Sequence, residues 1–370
     1  MKTFGARAQG MRLERMQASA LWAGEGFRNQ HPVLAGLRDA LAARPTLSDF
    51  LCNAGRRVPQ GPLPSVDPRP LWQRPVQTGL RATWLGHSTV LLEMDGWRVL
   101  TDPVWGPRAS PSSLIGPKRF QPVPLPLKAL PPLHAVVISH DHYDHLDYPT
   151  IRALAKSAVP FVTSLGVGAH LEAFGVPHQR ITELDWWQTH RVPGTELEIT
   201  AAPSQHFSGR SLKDRNATLW SSLVMRTPSQ RVFFSGDTGL TTQYAQIAQR
   251  LGPFDLVMLE VGAFHASWGD IHLGPENALK AWKLLGGGAL LPVHWGTFSL
   301  ALHEWDQPPE TLLRLAPALG TPLLMPRLGQ AIEPAHGPQA DPWWRGVDVK
   351  KRRPPLEQTA TRKPWSWGLD

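Results

Sequence analysis

The segment that decides the fold of this 370-residue chain is Ser139-His140-Asp141-His142-Tyr143-Asp144-His145-Leu146-Asp147. It holds three histidines and three aspartates, and it directly follows the apolar run Ala135-Val136-Val137-Ile138. A short run of β-branched apolar residues predicts a buried strand, so the histidines lie where the chain turns at the end of that strand. Imidazole nitrogens and carboxylate oxygens are ligands that Zn²⁺ and similar metals accept. Because the chain has one cysteine, Cys52, an open catalytic metal site is favoured over a closed structural site built on thiolates.

Three further candidate ligands follow strand-like runs later in the chain. His206, Asp237 and His294 each stand at the carboxyl end of such a run. Open α/β sheets place their functional sites at this end of the strands. A single histidine after a strand is more commonly a hydrogen-bonded residue than a ligand, but agreement among four strand ends indicates a metal site.

The order of these residues, His-x-His-x-Asp-His followed by a distant histidine, an aspartate and a last histidine, resembles the metallo-β-lactamase superfamily. Longer segments over roughly residues 80–310 resemble one of its families, the N-acyl phosphatidylethanolamine-hydrolysing phospholipases D and their bacterial relatives. The resemblance implies an α/β fold of the four-layer αβ/βα type, with two mixed sheets packed face to face and helices outside. The matching segments include Thr83-Trp84-Leu85-Gly86-His87-Ser88-Thr89, Gly116-Pro117-Lys118-Arg119-Phe120, Pro203-Ser204-Gln205-His206, Gly236-Asp237-Thr238-Gly239 and His294-Trp295-Gly296-Thr297-Phe298.

The same resemblance implies two bound divalent cations, with Zn²⁺ the expected metal. It also implies that a hydroxide shared by the cations attacks an ester centre without a covalent enzyme intermediate, since zinc lowers the pKa of its bound water to about 7. Asp144 is expected to orient that hydroxide as well as to bind metal. Carried over residue by residue, the ligands are His140, His142 and His206 for one cation, Asp144, His145 and His294 for the other, and Asp237 between them.

Five other residues are candidates for roles around the metals. His272 is expected to protonate the leaving group, and the alternative is a histidine that caps the start of a helix. Asp147 is either a hydrogen-bond partner of a ligand histidine or a helix N-cap. Asp102 is expected to support a ligand loop. His87 is expected to make a structural hydrogen bond, and the alternative is a position that lines the cleft. Arg119 is the candidate contact to a phosphodiester, against the alternative of a solvated loop charge.

We divide the chain into an N-terminal extension over 1–79, a metallo-β-lactamase-fold hydrolase domain over 80–333, and a basic tail over 334–370 that is rich in proline and tryptophan. A helix is predicted in the extension near 33–43. The hydrolase domain is predicted to open with a hairpin of two strands, over 81–93 and 97–101, that turns at Asp95-Gly96. Strand-like and helix-like runs then alternate up to the strand that precedes His294.

Composition predicts where the protein works. The net charge of +8 is concentrated near Lys350-Lys351-Arg352-Arg353, which together with nearby tryptophans predicts peripheral membrane contact by the tail; a disordered solubilising tail is the alternative. No specific nucleic-acid partner is expected, because this basic cluster lies outside the catalytic body. No apolar run reaches the ~18 residues of a membrane span, and the N-terminus lacks the apolar centre of a secretion signal. A cytoplasmic location is therefore expected. The four tryptophans of the tail are Trp343, Trp344, Trp365 and Trp367.

Together these observations predict a metal-dependent hydrolase that cuts a phosphodiester in a small-molecule or phospholipid-like substrate. The alternatives are a metal-dependent lactonase or other carboxylic-ester hydrolase, since a metal centre polarises a carbonyl as readily as a phosphoryl group, and a sensor that binds metal without turnover.

Overall fold

The computed structural model describes residues 2–31, 57–265 and 270–347. The helix predicted near 33–43 lies outside these residues, as does the basic cluster of the tail. The strands are β1 (Trp22–Ala23), β2 (Gly26–Phe27), β3 (Leu80–Gly86), β4 (Thr89–Met94), β5 (Trp97–Thr101), β6 (Ala135–Ile138), β7 (Phe161–Ser164), β8 (Ile181–Leu184), β9 (Thr189–Arg191), β10 (Glu198–Ala202), β11 (Ser222–Arg226), β12 (Arg231–Phe234), β13 (Leu256–Glu260), β14 (Ala289–Val293) and β15 (Ala331–Ile332). The helices are α1 (Gly10–Gln17), α2 (Arg69–Trp72), α3 (Tyr148–Leu154), α4 (Val167–Ala173), α5 (Gln243–Leu251), α6 (Gly274–Leu284) and α7 (Gln307–Leu315). None of these helices is both long and apolar enough to cross a bilayer.

Two mixed sheets form the centre of the fold. The first has the strand order β15-β3-β4-β5-β6-β7-β8, and the second has the order β14-β13-β12-β11-β10-β9. The strands that lead into His140, Asp237 and His294 belong to parallel groups, β5 to β8 in the first sheet and β12 to β14 in the second. The strand that leads into His206, β10, is antiparallel to both of its neighbours, β9 and β11. Parallel strands end at a common edge, so the loops after β6, β12 and β14 meet there.

The sequence of β6 shows why helices cover the outer faces. Side chains alternate between the two faces of a strand, and here Ala135 and Val137 contact the core between the sheets, while Val136 and Ile138 contact an outer cluster. That outer cluster includes Ile151 of α3 and residues of α4. A strand buried on both faces needs a continuous apolar run, which is what the chain supplies. The α/β sandwich of four layers is confirmed: α3 and α4 cover the first sheet, and residues of α5, α6 and α7 pack against the second.

The predicted hairpin turn is confirmed, but the strand before it is interrupted. Asp95 and Gly96 both have positive φ, 46° and 88°, as a two-residue hairpin turn of this type requires. The run 81–93, expected to be one strand, is split into β3 and β4 by a turn at His87, whose φ is +52°. The backbone N–H of His87 donates to Thr297 Oγ1 at 2.8 Å, directly after the loop that carries His294. The turn therefore ties this strand pair to the candidate site.

Residues assigned to the two terminal parts also pack on the body. In the extension, Arg12 pairs with Glu172 and Glu183 at 2.6 Å each. In the tail, the prediction that Trp343 and Trp344 lie at a lipid surface is wrong, because both are buried in the core. Their indole N–H groups donate to the Met325 carbonyl at 3.0 Å and to the Glu310 carboxylate at 2.9 Å. A tryptophan whose ring is buried and whose indole N–H is hydrogen-bonded is a core residue and not a membrane anchor.

Candidate metal centre

The loop after β6 is held in place by a buried carboxylate, Asp102. Its oxygens accept hydrogen bonds from the Ser139 backbone N–H at 2.8 Å and the Ser139 hydroxyl at 2.6 Å. Asp102 Oδ2 also lies 2.6 Å from His145 Nδ1, so that nitrogen is the donor and Nε2 is left to face the site. Fixing the tautomer of a ligand histidine in this way is typical of metal sites. The expected supporting role of Asp102 thus matches its geometry.

Four of the predicted ligands form one cluster, His140, His142, His206 and Asp237, whose candidate ligand atoms lie within 4.8 Å of one another. His140 Nε2 is 2.8 Å and His206 Nε2 is 3.2 Å from His142 Nδ1. Asp237 Oδ2 is 3.8 Å from His140 Nε2 and 3.7 Å from His206 Nε2.

The remaining predicted ligands form a second cluster, Asp144, His145 and His294, which also includes His87. Asp144 Oδ2 lies 3.5 Å from His145 Nε2 and 3.2 Å from His294 Nε2. The other oxygen of Asp237, Oδ1, is 3.1 Å from each of these two nitrogens. Asp237 therefore directs one carboxylate oxygen at each cluster, which is the position of a bridging ligand.

Some buried polar atoms of the site lack a hydrogen bond and are suited to bind a cation. His145 Nε2 and Asp237 Oδ1 are buried and 3.1 Å apart, but neither makes a hydrogen bond of good geometry with any residue that the structure describes. Leaving a buried polar atom unpaired costs about 1–3 kcal/mol, and a divalent ion would satisfy both atoms at once. The donor set of imidazoles and carboxylates is suited to zinc and other borderline metals. These residues therefore fit two divalent cations.

The charges of the site are set by burial and by the two aspartates. Burial holds the pKa of His140 and His206 well below the usual value, so both are neutral, as a metal ligand must be. Burial alone would raise the pKa of Asp237, but His145 and His294 hold it well below its usual range. Burial likewise lowers the pKa of His294, yet Asp237 and Asp144 outweigh that effect and raise it to about 10. Burial also lowers the pKa of His145, but the negative charges around it, above all that of Asp237, outweigh burial and raise its pKa well above the usual value.

These directions predict that metal loading releases protons. Because the pKa values of His145 and His294 are raised, both carry a proton at pH 7 in the metal-free protein, and each must lose it to bind metal. Zinc affinity should therefore fall as the pH falls, by up to about tenfold per pH unit for each proton displaced. Isothermal titration calorimetry with zinc in two buffers of different ionisation enthalpy should give different apparent enthalpies. Identical enthalpies in the two buffers would show that no proton is displaced.

His272 lies over this centre, beside a carboxylate that the sequence reasoning missed. Its ring centroid is 5.0 Å from that of His206 and 5.5 Å from that of His294. Glu260, fully buried at the end of β13, accepts from His272 Nδ1 at 2.8 Å and from the Thr238 backbone N–H at 2.7 Å. Burial lowers the pKa of His272, but Glu260 outweighs it and the net shift is upward. An acidic residue that closes an otherwise apolar strand was the available signal for Glu260.

Of the residues predicted to support the metal centre, Asp147 caps a helix and His87 lies beside a candidate ligand. Asp147 is the N-cap of α3, where its side chain accepts from the Thr150 backbone N–H, and it also accepts from the Gly106 backbone N–H at 2.9 Å. The N-cap interpretation is therefore the right one for Asp147. His87 lies at the candidate metal centre, since its Nε2 is 3.0 Å from Asp144 Oδ2, which fits the alternative of a residue that lines the cleft.

Arg119 does not occupy the position predicted for a substrate contact. Its guanidinium donates to the backbone carbonyls of Val104 at 2.6 Å, Gly106 at 3.1 Å and Gln121 at 3.4 Å. It also lies 4.7 Å above the ring of Phe298. Burial lowers its pKa to about 10, still high enough to keep the charge at neutral pH. The expectation of a phosphate contact is corrected: Arg119 uses its donors to hold the loop that follows β5.

A second residue missed from the sequence, Asn29, fixes the backbone at a candidate ligand. Its Nδ2 donates to the His206 carbonyl at 2.7 Å, and its Oδ1 accepts from the His206 backbone N–H at 3.1 Å. The partners are 177 residues apart, so no local pattern announces the contact. The N-terminal extension therefore contributes a residue that holds a candidate ligand in place.

Replacing Asn29 with alanine should weaken metal binding at the cluster that includes His206. Loss of both hydrogen bonds frees the His206 backbone, and such supporting contacts are typically worth 10–100-fold in metal affinity, so we expect about that decrease. Competition with a chromophoric chelator measures it. Gln30→Ala is the matched control, since the neighbouring Gln30 contacts the side chain of Gln243 rather than a ligand. Equal affinities for the Asn29 variant and the control would contradict this role.

The chain is similar in sequence and in fold to proteins already known. A family model for the beta-lactamase superfamily domain matches residues 97–295. An uncharacterized protein of Mycobacterium tuberculosis is 45% identical over 323 residues, which span 86% of this chain and 86% of that protein. The N-acyl-phosphatidylethanolamine-hydrolyzing phospholipase D 1 of Caenorhabditis elegans is 36% identical over 248 residues, 64% of this chain and 70% of that protein. Among solved structures, Igni18, a metallo hydrolase of Ignicoccus hospitalis, aligns with a TM-score of 0.53 at 20% identity, over 68% of this chain and 97% of that one. The last likeness concerns the fold alone.

Proposed function

The chain belongs to the beta-lactamase superfamily and, within it, to the family of the N-acyl-phosphatidylethanolamine-hydrolysing phospholipases D, and on that basis we propose that this metal-dependent hydrolase cleaves a phosphodiester in a phospholipid-like substrate. We further propose that it uses two divalent cations, with zinc as the metal. The observation that carries the proposal is the position of Asp237, whose two oxygens each face a separate group of histidines at 3.1–3.8 Å.

These residues would hold two divalent cations, which would supply an ionised water at neutral pH and would polarise the ester. The chain's own residues orient the reactants. Asp144 is the more accessible of the two candidate carboxylate ligands, with 13% of its side chain exposed against 2% for Asp237. Its carboxylate is therefore placed to accept a hydrogen bond from the attacking water and to set its direction.

His272 is the proton donor in this proposal. Glu260 engages its Nδ1, so the proton available to a substrate is the one at Nε2. The upward pKa shift keeps that proton in place near neutral pH. A positioned acid of this kind contributes typically 10²–10⁴-fold to the rate by protonating the leaving oxygen.

Arg119, the residue expected to contact a phosphodiester, donates to backbone carbonyls of Val104 and Gly106 instead. A carboxylic ester needs no such contact to a phosphoryl group. This keeps a metal-dependent lactonase or carboxylic-ester hydrolase as the second candidate.

Turnover of matched substrates tests the proposal. Zinc-loaded protein should hydrolyse an N-acyl phosphatidylethanolamine and leave a lactone and a β-lactam largely intact. Preferred hydrolysis of the lactone would establish the second candidate instead. Absence of turnover on all three by protein shown to hold metal would indicate a metal-binding sensor.

A further inference from the structure

Exposed apolar side chains are concentrated on two loops. Five large hydrophobic residues are exposed in the part of the chain that the structure describes, and three of them lie on these loops. Leu114 and Ile115 are adjacent and 81% and 72% exposed, and Leu212 is fully exposed. Single exposed apolar residues are ordinary on a protein surface, but an adjacent pair and a third residue on two loops that both start beside the candidate metal centre call for a physical cause.

The first loop, residues 102–119, begins and ends beside the metal centre. It leaves the carboxyl end of β5 and returns where Arg119 pairs with Phe298. The ring of Phe298 lies 5.3 Å from that of His87, which in turn contacts Asp144. Leu114 and Ile115 are therefore the outer part of a loop whose base borders the candidate active site.

The second loop, residues 207–217, is attached to the same centre from the other sheet. At its start, the ring of Phe207 lies 4.6 Å from that of His142. The Gly209 backbone N–H donates to Asp141 Oδ1 at 2.8 Å, next to the ligands His140 and His142. Both loops thus follow strands that end at the edge where the metal ligands meet.

Both loops carry cations beside their apolar tips. Arg108 and Lys118 flank Leu114 and Ile115, and the segment 106–118 has no acidic residue. Lys213 and Arg215 follow Leu212; the acid between them, Asp214, accepts hydrogen bonds from backbone N–H groups of its own loop. Apolar residues among cations match a membrane surface, where acyl chains lie beneath anionic headgroups.

We propose that these two loops form a docking surface for an anionic phospholipid membrane, with Leu114, Ile115 and Leu212 entering the headgroup layer. The proposal rests on the proposed function, since a phospholipid-like substrate would be presented at such a surface. Two separate tips suit a fluid layer that closes around each of them. A stable protein interface instead needs about 800 Å² of continuous surface on each partner. Because both loops start at the edge where the candidate metal ligands meet, docking through their tips would turn that edge toward the lipid.

Vesicle binding tests the docking surface without any turnover. The full-length protein is sedimented with phosphatidylcholine vesicles that contain or lack phosphatidylglycerol. The wild-type protein should bind the anionic vesicles, and the triple variant L114S/I115S/L212S should bind them about tenfold or more weakly, because three apolar side chains no longer enter the layer. Met11→Ser is the matched control, since Met11 is also 81% exposed but lies on α1, and it should bind like wild type.

Other outcomes overturn the docking surface. If the triple variant binds anionic vesicles as well as wild type, binding comes from another basic region such as the segment around Lys350. If wild type binds no vesicles and forms a dimer that the triple variant does not, the tips contact a second copy of the chain. A protein that docks through the tips but hydrolyses no phosphodiester would keep this surface and overturn the proposed function, so the two failures are distinguishable.

Discussion

Replacing Asp237 with asparagine should abolish most of the hydrolytic activity, with kcat/KM lowered by about a thousandfold or more, and should reduce the bound metal from two ions to one or none. Asp237 is the one predicted ligand whose oxygens face both clusters, at 3.1 Å from His145 and His294 and at 3.7–3.8 Å from His206 and His140. An amide retains the shape but loses the charge that neutralises two cations, and two-metal hydrolysis depends on both ions.

The Asp237 variant is checked by metal analysis together with steady-state kinetics. Asp255→Asn is the matched control, because Asp255 is an exposed aspartate at the opposite end of the same sheet and accepts a hydrogen bond from the Arg231 backbone N–H. It should retain two metal ions and full activity. An Asp237 variant that keeps both ions and wild-type turnover would refute the bridging role.

Replacing His272 with glutamine should lower kcat by about 10²–10⁴-fold while the bound metal stays the same. Without the proton on Nε2 of His272, the leaving oxygen is not protonated as its bond breaks, so it leaves as a less stable anion. The loss should be smaller for a substrate with an acidic leaving group such as a nitrophenol, since that oxygen departs with little need of a proton. The alternative predicted for His272, a cap of α6, is wrong, because Leu273 is the N-cap and no side chain caps this helix. Unchanged turnover would show that His272 is not the proton donor and that its bond to Glu260 is only structural. Loss of metal would instead make it a ligand, consistent with its position within 4.8 Å of Asp237, Glu260 and His294.

The Glu260→Gln variant separates positioning from acid catalysis by its pH profile. Glu260 raises the pKa of His272, and an acid is active only below its pKa. On the alkaline side, wild-type kcat should therefore fall as the pH rises through the pKa of His272. Removing the carboxylate lowers that pKa, so the alkaline fall in kcat should move to lower pH. If the role of Glu260 is purely structural, the Gln variant should have lower activity at every pH, and the pH at which kcat falls on the alkaline side should not change.

The meeting of the candidate ligands at one edge could be predicted from the sequence because each of them follows a strand. β6, β12 and β14 have parallel neighbours, and β10 points the same way as β12 because β11 between them is antiparallel to both. His140, His142 and His145 are local to one loop, His294 closes a fully apolar run, and Asp237 follows the apolar residues Val232-Phe233-Phe234 after Ser235-Gly236. The period-2 burial of β6 and the turn at Asp95 follow from equally local rules.

Contacts that depend on tertiary distance could not be predicted in this way. The guanidinium of Arg119 is paired with carbonyls of its own long loop, which no spacing rule specifies. Asn29 reaches His206 across 177 residues, and Trp344 is buried among residues of the second half of the chain. In each case the side chain type is ordinary and only its packing gives it a role.

Anomalous diffraction from crystals of the zinc-loaded protein, recorded above and below the zinc absorption edge, tests the central claim most directly. Two anomalous peaks about 3.5–4 Å apart, one on each side of the Asp237 carboxylate, are the predicted result. A single peak, or zinc bound away from Asp237, would contradict the account.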